Sequence, residues 1–314
     1  MNRFLARHRR PLGALAVAGV LALTAAACSS NDADDANDVP TIEAAFASYD
    51  VSAGAQQRVI VGLFTNDNEI VAFGSIDLTF VSPSDDTTTV SADFLPVPGT
   101  RTQSGSARLV RPSEGNGVYG TEFRFDEPGP WTVRASFDLQ GETIEAETSF
   151  LVNDTHQVLA FGDAAPTAGN WIIGDDVANH AIDSRAIGDQ PIPDPELHDT
   201  RIASVLGNGK PLMVVVSTPV YCVSQFCGPI TDEVAKLQAE FGDRMEFVHL
   251  EVWSDFESRT VNESVVSWIF PRDNSEPREP WVFLVDGAGT VVDRWDNVAS
   301  TDEMRDAIEA LLGN

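Results

Sequence analysis

The sequence predicts a multidomain chain with two folded segments of different class, an antiparallel β-sandwich followed by an α/β domain. Three observations carry this. Residues 54–152 alternate apolar and polar side chains with period two, in short runs separated by glycine and proline. After Asn153 the strands become continuous apolar runs and alternate with helical spacing, the pattern of an α/β domain. Setting aside an amino-terminal export segment and a polar stretch behind it, roughly 270 residues remain, enough for two domains of ordinary size. The expected boundaries are 54–153 and 154–314.

Residues 1–27 open with Arg3, Arg7, Arg9 and Arg10, continue without charge from Leu12 to Leu23, and end Thr24-Ala25-Ala26-Ala27 before Cys28. This basic, apolar, small-residue order is that of a secretory signal. The apolar run is shorter than the roughly 20 residues a spanning helix needs. The segment resembles a bacterial lipoprotein signal, with alanine at position 25 where that motif most often has leucine. The resemblance implies that Cys28 is lipidated and becomes the first residue of a protein anchored on the extracytoplasmic face of the cell membrane. An ordinary cleaved signal is the alternative, with Cys28 lost or left as a free thiol. Residues 28–53 read as a flexible acidic tether, because Ser29 to Asp38 holds almost no large apolar side chain.

The formal net charge is −28, and loss of the signal removes four arginines and no acid. Lys210 and Lys236 are the only lysines, so no basic stripe exists to neutralise phosphates, and nucleic acid is excluded as an expected partner. Anionic headgroups would repel the surface as well, which leaves the acyl chain as the membrane attachment. The acidity reads as a solubility feature.

Within the first segment the alternating runs are Arg58–Phe64, Ile76–Val81, Val118–Phe125, Trp131–Phe137 and Ile144–Leu151. The segment has no cysteine to staple it and no histidine to bind a metal. Gly117-Val118-Tyr119-Gly120, followed by Glu127-Pro128-Gly129-Pro130-Trp131-Thr132-Val133, resembles the immunoglobulin-like modules found beside exported copper and redox proteins of bacteria. The resemblance implies a spacer or a partner-docking module.

In the second segment Phe161-Gly162-Asp163-Ala164-Ala165-Pro166 opens the pattern, and a polar, proline-containing loop fills Asp183 to Asp199. Leu212-Met213-Val214-Val215-Val216 is a continuous β-branched run, as expected of a central strand buried on both faces. From Pro229 onward Ile230, Val234, Leu237 and Phe241 recur at helical spacing, with Gly242 as the stop. Met245 to Val252 is a second strand, and Pro280–Gly287 with Thr290–Trp295 a hairpin. A last helix starts at the capping box Ser300 to Glu303 and buries Met304, Ile308, Leu311 and Leu312.

The two cysteines outside the signal, Cys222 and Cys227, lie between the central strand and its following helix. A thiolate attacks disulfides, and a cysteine at a helix amino terminus is acidified by unpaired N–H groups and the helix dipole. Cys227-Gly228-Pro229 sits there, and Pro229 suits a first turn whose N–H has no partner. Cys222 lies upstream, where a curled turn would bring the Cα atoms within disulfide reach.

The opening Gly162-Asp163-Ala164-Ala165-Pro166, the Cys227-Gly228-Pro229 step, Glu279-Pro280 before a strand and Val285-Asp286-Gly287 at a hairpin together resemble the thioredoxin-like family over residues 156–314. The resemblance implies a thiol-disulfide oxidoreductase without a cofactor, acting on exported protein thiols or with a membrane reductant. It also implies that Pro280 is a cis proline facing the cysteines. The family pair is Cys-x-x-Cys after a tryptophan, whereas here four residues separate the cysteines and Tyr221 precedes the first. Exposure favours Cys222 as attacking and Cys227 as resolving thiol; electrostatics alone favours Cys227.

Three other readings stand beside this one. Thr218-Pro219-x-x-Cys222-x4-Cys227 is similar to the monomeric peroxiredoxin pattern with one residue added, which implies a peroxide-attacking Cys222 resolved by Cys227. The exported copper chaperones of the same fold suggest Cu(I) held by Cys222, Cys227 and His249. A structural disulfide without activity is the fourth reading.

Overall fold

Alternating side chains in the first half sort themselves onto the two faces of strands. The computed structural model describes residues 40–100, 103–167, 169–188 and 190–313; the signal reading and Cys28 lie outside them. These residues are mostly β-structure, with fifteen strands and four α-helices.

The first nine strands are β1 (Ile42–Phe46), β2 (Gln56–Thr65), β3 (Ile70–Ala72), β4 (Ser75–Val81), β5 (Thr87–Pro96), β6 (Arg108–Val110), β7 (Gly117–Arg124), β8 (Gly129–Leu139) and β9 (Glu142–Val152). All pair antiparallel, in the order β6-β3-β2-β7-β5-β4-β8-β9, with β1 beside β2. In β8 the residues Trp131, Val133, Ala135, Phe137 and Leu139 are buried, and Thr132, Arg134, Ser136 and Asp138 between them are less so. Phe46 of β1 stacks on Phe150 of β9 with centroids 3.6 Å apart, although the two strands are far apart along the hydrogen-bonded path. Phe80, Phe123, Phe125 and Trp131 fill the space beside them. Two distant parts of one antiparallel sheet thus face each other across an aromatic core, as in a β-sandwich.

One boundary is corrected. β1 and the buried residues Ser48, Asp50, Val51 and Ser52 belong to the folded unit, so the stretch expected to be tether as far as residue 53 is structured at least from Ile42. Its register with β2, Ile42 to Thr65 through Phe46 to Val61, supplies backbone hydrogen bonds that its own composition does not announce.

The second half has short 3₁₀ turns at Asn179–Ala181 and Pro195–Leu197, then α1 (Ile202–Val205), β10 (Leu212–Ser217), α2 (Cys227–Phe241), β11 (Glu246–Glu251), β12 (Trp253–Asp255), β13 (Thr260–Val261), α3 (Glu263–Ile269), β14 (Trp281–Val285), β15 (Val291–Asp296) and α4 (Thr301–Gly313). A mixed sheet runs β11-β10-β14-β15, with β10 and β11 parallel and the other pairs antiparallel. Every residue of β10 is buried, because helices cover both faces. Leu212, Val214 and Val216 pack with Val265 and Trp268 of α3, whereas Met213 and Val215 pack with Ile230, Val234 and Leu237 of α2 and with Met304 and Ile308 of α4. The capping box forms as read: Ser300 N–H donates to Glu303 Oε2 at 3.0 Å, and Glu303 N–H to Ser300 Oγ at 3.2 Å. Gly287 is required by the hairpin, since a Cβ there would stand 2.5 Å from the Gly209 carbonyl oxygen.

The two halves belong to one compact unit, Pro40–Asn314. Arg294 of β15 donates to Asp50 Oδ2 at 3.0 Å, and Arg58 of β2 to Glu303 at 2.6 Å. Ile60, Val97 and Val118 of the first half pack with Val298 and Phe226 of the second. Among the described residues no helix is long and apolar enough to cross a membrane.

Candidate functional site

The loop from Thr218 to Phe226 leaves the buried end of β10 and delivers the chain to α2. Gln225 within it adopts φ 65°, a left-handed turn that curls the loop back. Cys222 and Cys227 are thereby 6.0 Å apart at Cα and joined as a disulfide. Cys227 is sealed at 0% exposure in the first turn of α2. Cys222 stays partly exposed, beside loop residues Val220 and Val223, which expose 45% and 97% of their surface.

The Glu279–Pro280 peptide, which is cis, borders this loop. Ser224 Oγ stands 3.2 Å from Cys222 Sγ and 3.5 Å from the Glu279 carbonyl oxygen, to which it donates. Tyr49, from the segment after β1, donates its hydroxyl to the same carbonyl at 2.9 Å. Its amide donates to Asp296, and its ring meets Trp281 edge-on with centroids 5.9 Å apart. Burial, and then the nearby Asp296 carboxylate, hold the Tyr49 hydroxyl protonated well above the usual tyrosine range. Cys222, Cys227 and the Glu279–Pro280 peptide are therefore assembled in one place, with Tyr49 and Ser224 as members that sequence reasoning missed.

Two carboxyl groups border the same region. Glu251, at the end of β11, accepts from Ser184 N–H at 2.8 Å and Trp253 N–H at 3.3 Å, and burial pushes its pKa up to about 7. Glu279 is pushed up to about 8, first by burial and then by Glu251, against the lowering influence of the Thr218 backbone. Its Oε2 is buried without a hydrogen-bond partner among the described residues. Such a carboxyl stays protonated into the neutral range and can exchange a proton there.

His249 is placed differently from the copper expectation. Its Nε2 lies 3.0 Å from Ser217 Oγ and 3.1 Å from the Ser217 carbonyl oxygen. Its Nδ1 faces Asp183, with His198 beside them. The ring is thus directed to Ser217, Asp183 and His198 rather than to the sulfurs, and burial holds its pKa down to about 3. The reason is register: His249 pairs with Val215 in the middle of β11, below the loop. Thr218, the threonine of the peroxide pattern, donates its hydroxyl to Ser184 at 3.5 Å. The loop expected between Asp183 and Asp199 is polar in sequence yet carries the buried residues Asp183, Ser184, Ala186, Leu197 and His198. A scan against protein-family models and a search of curated proteins returned no match for this chain.

Proposed function

We propose that this is an extracytoplasmic thiol-disulfide oxidoreductase, held at the bacterial membrane by a lipid on Cys28, with Cys222 and Cys227 as its redox pair. Residues 154–314 are read as a thioredoxin-like domain, and β1 with residues 54–153 as an immunoglobulin-like sandwich. The observation that carries the reading is the unequal burial of the two cysteines: Cys227 is sealed at the start of a 15-residue helix and Cys222 is partly exposed beside apolar loop residues. A partner approaching from solvent meets Cys222 and not Cys227. The order of β10, α2, β11 and the β14–β15 hairpin supports the fold reading.

A thiolate of an exported protein attacks Cys222 Sγ; the Cys222–Cys227 bond breaks, and its electron pair leaves on Cys227. The unpaired N–H groups at the start of α2 stabilise that thiolate. A second thiolate of the same client then attacks the client sulfur of the mixed disulfide and releases Cys222. The client is oxidised and the pair reduced; the reverse sequence, fed by a membrane reductant, reduces a client. Ser224 positions the accessible sulfur against the Glu279 carbonyl, and no cofactor is required.

Equilibration of the purified protein with glutathione buffers, followed by thiol alkylation and mass measurement, tests this. A pair that exchanges titrates within the range of catalytic dithiols. A pair that stays oxidised below about −300 mV is a structural bridge, and the proposal is then wrong. Rapid sulfenic-acid formation at Cys222 with micromolar peroxide would instead favour the peroxidase reading.

A further inference from the structure

Asp183, His198 and His249 meet in the core next to β10 and α2, at 0%, 1% and 2% exposure. They come from a 3₁₀ turn's exit, a second turn's end and the middle of β11. Asp183 Oδ2 is 3.2 Å from His198 Nε2 and 3.6 Å from His249 Nδ1, and one ligand atom from each lies within 4.8 Å of the other two. Two nitrogen or oxygen ligands held at about 2.0–2.1 Å around one tetrahedral ion stand about 3.3 Å apart. The two separations from Asp183 are close to those of a coordination shell.

At His249 the proton position points the same way, whereas His198 Nε2 donates to Asp183 Oδ2 at 3.2 Å in the ion-free protein and would release that hydrogen when an ion binds. The Ser217 carbonyl oxygen, 3.1 Å from His249 Nε2, can only accept, so that nitrogen carries the hydrogen. The neutral ring then turns a bare lone pair on Nδ1 toward a carboxylate oxygen, and this buried Nδ1 has no hydrogen-bond partner among the described residues. Two acceptors facing each other in a core are unfavourable unless a cation lies between them. Charge agrees. Arg185 donates to Asp183 Oδ2 at 2.7 Å and also pairs with Asp194 at 2.8 Å and Asp232 at 2.9 Å. Asp194 and Asp232 draw the guanidinium toward the surface, and Arg185 orients the buried Asp183 carboxylate as an outer partner does.

We propose that Asp183 Oδ2, His198 Nε2 and His249 Nδ1 bind one divalent transition-metal ion of the zinc class. A nitrogen–oxygen set suits such an ion rather than Cu(I), which prefers sulfur. The site is tied to the cysteine helix without using its sulfurs. Ser217 Oγ, which contacts His249, is 2.7 Å from Thr231 Oγ1, and that hydroxyl donates to the Cys227 carbonyl at 2.8 Å. The proposal stands independently of disulfide exchange.

The test uses the full-length protein, purified without chelator, with zinc content measured and the zinc X-ray absorption edge recorded. The expected result is about one equivalent of zinc with an imidazole-containing nitrogen–oxygen shell and no sulfur at about 2.3 Å. Titration of the stripped protein with Co(II) should give visible bands that Zn(II) displaces. His198→Gln and His249→Gln should weaken binding by more than the roughly 100-fold that loss of an outer partner costs; Cys222→Ser should leave it unchanged. Failure to bind Zn(II) or Co(II), a sulfur-containing shell, or equal affinity in the histidine variants overturns the proposal. The absorption spectrum of the unaltered protein decides the matter even where a histidine variant fails to fold.

Discussion

Replacing Glu279 by glutamine isolates the most perturbed carboxyl beside the cysteine loop. In the folded chain burial and the facing Glu251 push Glu279 up to about 8, whereas an unfolded glutamate ionises near 4.3. Between those values the folded state binds the proton that the unfolded state has released. Stability therefore falls as pH rises, by at most ~1.36 kcal/mol per unit, and this contribution is level below about pH 4 and above about pH 8. From pH 5 to pH 8 the ceiling is ~4 kcal/mol, and water reaching the half-buried side chain reduces it to ~2 kcal/mol. A glutamine side chain cannot ionise, so Glu279→Gln should match the parent protein near pH 5 and exceed its stability by ~2 kcal/mol at pH 8. Urea unfolding at four pH values, with the disulfide intact and the buried Trp268 and Trp281 as fluorescent reporters, measures it. Parallel pH profiles for the two proteins, or a variant that is the less stable one at pH 8, would refute the reasoning.

Cys227→Ser should accumulate a mixed disulfide through Cys222 when offered a peptide disulfide, whereas Cys222→Ser should not; intact-mass analysis distinguishes them. Val223→Asp, at a position 97% exposed, should slow exchange with apolar peptide clients several-fold, leave exchange with glutathione unchanged, and shift stability by less than about 0.5 kcal/mol. Asp50→Asn should lose ~2–4 kcal/mol at pH 7, because Arg294 and His156 lose the charge they face. Despite its burial, the hydrogen bond with His156 and the charge of Arg294 hold Asp50 below the usual carboxylate range, so the deficit shrinks as pH falls through the acid region where Asp50 is protonated. Phe80→Ala, which empties a fully buried ring site in the sandwich, should cost ~3–5 kcal/mol in the same unfolding assay.

What could be read from the sequence is what a local pattern determines. The continuous run Leu212–Val216 is a strand because helices cover both its faces, and the Ser300–Glu303 box begins α4 because both reciprocal bonds are made by residues three apart. Cys222 and Cys227 were locatable for the same reason, a cysteine step set between an apolar run and an amphipathic helix. β1 was not, because Ile42-Glu43-Ala44-Ala45-Phe46 is short and alanine-rich and becomes a strand only through pairing with β2. Asp183 and His198 were missed because their loop is polar and rich in proline, a composition that reads as surface; folding against the edge of the sheet buries it. That His198 and His249, 51 residues apart in the chain, converge on one buried aspartate is a signal that only the folded structure reveals. Tyr49 carried no signal at all, since its role depends on a carbonyl 230 residues away.

That distance changes what the first half does for the second. A spacer would touch the second half at its edge, yet Tyr49 holds the Glu279 carbonyl that also accepts from Ser224 beside Cys222. On the other side of the loop Phe226, the residue before Cys227, packs with Ile60, Val97 and Val118 of the sandwich. The carboxyl-terminal end of the cysteine loop thus meets the first half of the chain, directly at Phe226 and through the Glu279 carbonyl at Ser224, while its start is held by Ser184 of the second half. Under the proposed exchange, a shift of Phe226 on reduction would disturb packing between the halves. The sandwich is part of the site, and truncating the chain at residue 154 would remove one wall of it.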